Sequence, residues 1–159
     1  MKLFIKRGTS ETDGFTIYTE KGEPCFAADV RAEPSIRITL RGRSGELLST
    51  IRFNTFMLSY FSVRCGKRLY VLVPCLGRRF AFAIYGSTFR FVGNLSDGRF
   101  SMLGADGETV MTQKKCWTAH GDGYELDIKD ERYEIFMISA ALCADICLAL
   151  GESDALPTS

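Results

Sequence analysis

The sequence predicts a mainly β protein, a closed antiparallel barrel of roughly ten to twelve strands around a central, hydrophobic C-terminal α-helix. Short runs alternate apolar and polar residues with a period of two, and glycine-bearing turns separate them at intervals of about eight to twelve residues. The last long apolar run, Tyr133 to Leu150, does not alternate and reads as a helix. With 159 residues, 12% aromatic and 25% charged, the chain fits one domain with a sizeable core. The domain is expected over residues 1–150, with 151–159 as a flexible acidic tail.

Taken in order, MKLFIK has too few apolar residues between Lys2 and Lys6 for a signal-peptide core, so a cytoplasmic location is expected. EKGE at 20–23 places glycine where a tight hairpin needs positive φ. SIRITLR puts Ile36, Ile38 and Leu40 on one face and Arg37 and Arg41 on the other. GRSGE at 42–46 reads as a slightly longer loop, and CGK at 65–67 as a two-residue turn with glycine first. RLYVLV is read with Leu69, Val71 and Val73 as its buried face, and RFAFAIYG with Phe80, Phe82 and Ile84. TFRFV contributes Phe89 and Phe91, ADGE at 105–108 is another hairpin, and YELDI buries Tyr124, Leu126 and Ile128.

Beyond Asp130, a helix N-cap, the chain turns helical, with Glu131 and Glu134 suited to the positive end of the dipole. Eighteen residues would span about 27 Å, close to a bilayer core of about 30 Å. The uninterrupted apolar run is shorter, Ile135 to Ala144, and Glu134, Asp145 and Glu152 form one thin polar line. A helix apolar almost all round with many small residues is a helix surrounded by protein, so no transmembrane span is expected.

The MKLFIK start, the FTIYTEKGEP hairpin, the GRSGELLSTIR turn and strand, the KK…GDGYELDI segment and the apolar C-terminal helix follow one another in an order that resembles the LURP-one-related family. The likeness is to its short, bacterial-type members, within the tubby C-terminal-like superfamily that also holds the phospholipid scramblases. The resemblance runs from Met1 to about Leu150. It implies a twelve-stranded barrel around a central C-terminal helix and, through the superfamily, a habit of binding lipid. The scramblases' proline-rich N-terminal region and cysteine cluster have no counterpart here.

Charge is unevenly spread. Residues 31–79 hold ten basic residues against Glu33 and Glu46, a net of +8, whereas residues 93–159 hold five basic and twelve acidic, a net of −7. Arg37, Arg41, Arg52, Arg64, Arg68, Arg78 and Arg79 are the candidate ligand-binding residues, because arginine forks suit phosphate oxygens. The competing reading is a solvated outer barrel face, where alternating strands must place something polar. Lys114, Lys115 and Trp117 could meet a membrane surface, but the tryptophan is expected in packing. The six cysteines are scattered and read as small buried hydrophobes; the acidic run 122–131 lacks calcium-loop spacing. His120 is the only imidazole and reads as a turn residue, and no GxSxG, HExxH, P-loop or GxGxxG motif is present. No enzyme activity, cofactor or metal is predicted, and nucleic acid is not an expected partner. The expectation is a cytoplasmic domain, peripheral at membranes, that binds anionic phospholipid or phosphoinositide headgroups. The alternative is a protein–protein interaction or regulatory module without a lipid role, which one contiguous exposed apolar patch would favour.

Overall fold

The computed structural model describes residues 1–8, 14–32, 34–55, 59–75, 80–94, 97–118 and 121–154. They form twelve strands: β1 (Lys2–Arg7), β2 (Phe15–Thr19), β3 (Pro24–Arg31), β4 (Arg37–Arg41), β5 (Leu47–Asn54), β6 (Tyr60–Cys65), β7 (Arg68–Cys75), β8 (Phe80–Tyr85), β9 (Arg90–Asn94), β10 (Arg99–Leu103), β11 (Thr109–Thr118) and β12 (Gly121–Ile128). A 3₁₀ turn, Glu131–Tyr133, leads into α1 (Glu134–Asp154). Each strand pairs antiparallel with its neighbours in sequence, and β1 pairs with β12, which closes the barrel and leaves no open edge.

Local chemistry sets the hairpins. Three of them share one four-residue turn with the same two bonds: Thr19 N to Glu23 O at 2.9 Å and Gly22 N to Thr19 O at 2.9 Å, Gly42 N to Glu46 O at 3.0 Å and Gly45 N to Gly42 O at 3.0 Å, Gly104 N to Glu108 O at 2.8 Å and Gly107 N to Gly104 O at 3.0 Å. Gly22, Gly45 and Gly107 take φ of 81°, 81° and 83°, the left-handed region where a side chain would strain the backbone. A register shift accompanies each turn, between Ile17 and Tyr18, Leu40 and Arg41, and Met102 and Leu103 on the strand that enters it. These hairpins, the Gly66–Lys67 turn and the start of α1 all lie at one end of the barrel, its mouth.

The helix fills the barrel. Every residue from Phe136 to Ile146 is buried, and Ala140, Ala141 and Ala144 let the walls approach closely. Asp130 caps the 3₁₀ turn by accepting from Arg132 N at 3.2 Å. Wall aromatics complete the packing: Phe61 meets Phe82 edge-on at 5.8 Å, Phe82 meets Phe91 at 5.2 Å, and Tyr70 stacks on Phe136 of the helix at 4.2 Å. The helix continues to Asp154, so residues 151–154, expected in the tail, are helical. No proline interrupts the chain there until Pro157.

One strand differs from its sequence reading. On β7 the inward residues are Tyr70 and Leu72, paired with Val63 and Phe61, while Leu69, Val71 and Val73 face outward and Leu69 is 49% exposed. Both faces of this strand are apolar, so alternation carried no information, and the registry with β6 decided the matter. Of the other residues read as inward, Ile38, Leu40, Phe82, Phe91, Tyr124, Leu126 and Ile128 are buried, Ile36, Ile84 and Phe89 are half-buried against the core, and the side chain of Phe80 lies outside the described residues.

Candidate functional site

Register brings arginines together on the outer wall. Arg31 on β3 lies opposite Arg37 on β4, and Arg37 lies opposite Arg52 on β5. Side chains directly across an antiparallel pair have Cβ atoms about 4.5–5.5 Å apart. The three therefore form one row of cations across three adjacent strands, and all three are exposed. Arg64 on β6, opposite Thr50, extends the basic area one step toward the mouth. No carboxylate among the described residues forms an ion pair with Arg31, Arg37, Arg52 or Arg64.

The remaining predicted arginines go elsewhere. Arg41 is engaged by Asp29 at 3.5 Å and donates to Gly45 O at 3.1 Å. Arg68, two residues past Gly66, sits at the mouth against the Tyr70 and Tyr133 phenols, and Tyr70 first among them holds its pKa above the usual arginine value. Arg78, Arg79 and His120 lie outside the described residues. Arg31 is the residue that sequence reading missed. Its signal was symmetry about Pro34, since a β3–β4 hairpin folding there sets position 31 against 37.

The wall made by β1, β12 and β11 behaves differently. There Glu125 receives Lys114 at 3.1 Å and Lys2 at 3.5 Å, and Lys114 first among the causes holds its carboxyl below the usual glutamate range. The N-terminal amine of Met1 lies 3.9 Å from Asp127. Lys2, Lys114 and the Met1 amine on this side thus each have an acidic partner within the protein. For Arg52 and Arg64 the contrast has a sequence origin: between Glu46 and Asp97 the chain contains no Asp or Glu, so β5 to β9 have no carboxylate to offer.

A cleft of about 690 Å³ opens at the mouth beside the helix entry, with Arg68, Phe89, Asp106, Glu108, Arg132 and Tyr133 in its lining. Arg132 is committed to Asp130 through two bonds, Nε to Oδ1 at 3.0 Å and Nη2 to Oδ2 at 2.9 Å, and lies over the Tyr133 ring at 5.7 Å. Asp106 beside Glu108 pushes the Glu108 carboxyl up. The cleft therefore has mixed charge and does not concentrate donors on one anion. Burial pushes the Cys65 thiol up to about 11, Cys147 to about 12 and Cys143 well above its ordinary value, which keeps these thiols protonated and unreactive at neutral pH. Among the described residues no helix is long and apolar enough to cross a membrane.

A family model described as LURP-one-related matches residues 1–145. An X-ray structure of a protein from Arabidopsis thaliana is similar to this chain with a TM-score of 0.63 at 14% identity, covering 91% of this chain and 90% of that one. That likeness establishes the shared fold. Among curated proteins none matches.

Proposed function

The chain belongs to the LURP-one-related family, and from that premise we propose that it is a non-enzymatic binding domain that acts at the membrane periphery. Its outer wall takes anionic phospholipid or phosphoinositide headgroups at Arg31, Arg37 and Arg52, with Arg64 beside them. The observation that carries this reading is the unneutralised arginine row. Like charges directly across strands are destabilising. Lys2 and Lys114 on another wall have an acidic partner, whereas the row has none among the described residues. A multiply charged phosphate headgroup would relieve that repulsion and receive the planar, bidentate donors arginine offers.

Vesicle co-sedimentation tests the proposal. Vesicles of phosphatidylcholine carrying phosphatidylserine or phosphoinositide should pellet the protein, and Arg37→Glu/Arg52→Glu should abolish this. Equal pelleting with pure phosphatidylcholine, or binding unchanged in the double variant, would overturn the reading.

A further inference from the structure

The register of β7 against β6 turns an apolar face of this strand outward. Outward positions on β7 and β8 are Leu69, Val71 and Val73, then Ala81, Ala83 and Tyr85, with Val71 opposite Tyr85 and Val73 opposite Ala83. None is charged, and Leu69 and Tyr85 are 49% and 62% exposed. An outer barrel wall facing only water alternates toward polar residues, so an uncharged two-strand face calls for an occupant. Its margins are cationic on both sides. Arg64 lies opposite Leu69 on β6, and Arg90, also exposed, stands at the start of β9.

We propose that the outer face of β7 and β8 is a bilayer-contacting wall, in which Leu69, Val71 and Tyr85 enter the interfacial region of an anionic membrane while Arg64 and Arg90 hold phosphates at its margins. The inference rests on the headgroup reading and specifies which part of the barrel touches lipid. Three features select this occupant. Interfacial affinity scales with buried apolar area plus attraction to anionic lipid, and this face offers both. Tyrosine is at ease at the headgroup level, and arginine can lay its stem along apolar surface while its head reaches phosphate. A second copy of the chain is disfavoured, because two such faces would bring arginine margins together with no carboxylate on β5 to β9 to separate them.

Quenching by brominated acyl chains locates the contact. Tyr85→Trp, measured beside Thr112→Trp on β11 and with Trp117 as common background, should show its added emission quenched in phosphatidylserine-containing vesicles, and Thr112→Trp should not. Leu69→Ser/Tyr85→Ser should bind those vesicles at least tenfold more weakly with an unchanged melting temperature. If the vesicles pellet the protein in an Arg37- and Arg52-dependent manner but Tyr85→Trp stays unquenched and the serine variant binds normally, the wall is no lipid contact while the headgroup reading survives. An unquenched face whose serine variant instead abolishes a concentration-dependent dimer would assign the wall to a second copy and overturn the proposal. Absence of any vesicle binding would overturn both.

Discussion

Arg7, at the end of β1, donates through Nη2 to the carboxylate of Asp145, 138 residues away in the central helix. The guanidinium also lies 5.4 Å from the Phe15 ring centroid. This pair fastens the helix at the end of the barrel opposite the mouth. Asp145 is 11% exposed at its side chain and Arg7 52%, so the carboxylate is the partner that has lost most of its water. Removing Arg7 strands that carboxylate, whereas removing Asp145 frees a cation that can resolvate. Arg7→Ala should therefore lower unfolding stability by about 1–3 kcal/mol, and Asp145→Asn by less. Urea denaturation of the two single variants and the double variant checks this, and equal single effects with no coupling would contradict it.

A second buried polar contact joins the helix to the wall in the part nearer the mouth. The Ser49 and Ser139 hydroxyls lie 2.7 Å apart, both fully buried, and Ser139 donates its hydroxyl to Ile135 O at 2.8 Å. Ser139→Ala would leave the Ser49 hydroxyl buried without this partner, at a cost of about 1–3 kcal/mol. Ser49→Ala/Ser139→Ala removes both hydroxyls together and should cost less than the two single losses added. A double-mutant cycle by denaturant titration reads the difference.

These two contacts also mark what the sequence could and could not convey. Asp145 was visible as an interruption of an apolar helix, and its place on one polar line with Glu134 was legible from 100° per residue. Its partner was not, because closure of β1 onto β12 is a property of the whole barrel. The strands that alternate cleanly, such as Tyr124, Leu126 and Ile128, revealed their faces, and β7 did not because neither face was polar. The basic wall was half legible: Arg37 and Arg52 were recognisable from composition, but the row with Arg31 exists only through cross-strand register, and Arg68 left the wall because it shares the inward face of β7 with Tyr70 and Leu72.

Glu134 opens the helix at the mouth and titrates abnormally. Burial first, and then the neighbouring Glu131, push its carboxyl above the usual glutamate value, with the Met1 amine opposing. A carboxyl whose folded pKa is raised binds its proton more tightly in the native state. Its contribution is most favourable below the ordinary glutamate pKa and is lost as pH rises through the raised value. Glu134→Gln should consequently stabilise the protein at pH 7 and leave stability near pH 4 almost unchanged. Glu125 has the opposite sign, since Lys114 and Lys2 lower its pKa. Glu125→Gln should destabilise at pH 7 and lose that effect as the pH falls below the ordinary glutamate value. Denaturation midpoints of both variants against the parent across pH 3–8 test the pair.

The arginine row makes a prediction that separates binding from folding. If Arg37 and Arg52 are retained for an external anion, each repels its cross-strand neighbour in the unliganded protein. Arg37→Thr and Arg52→Thr suit a strand by propensity and remove that repulsion, so each should raise stability by a few tenths of a kcal/mol at low ionic strength. The gain should fade at about 1 M salt, where the screening length falls to about 3 Å. The same variants should bind anionic vesicles more weakly. A purely solvating role for these side chains predicts neither the opposition between the two effects nor its salt dependence. Thermal melts and vesicle titrations on one set of samples would show whether the variants become firmer in fold and poorer in binding together.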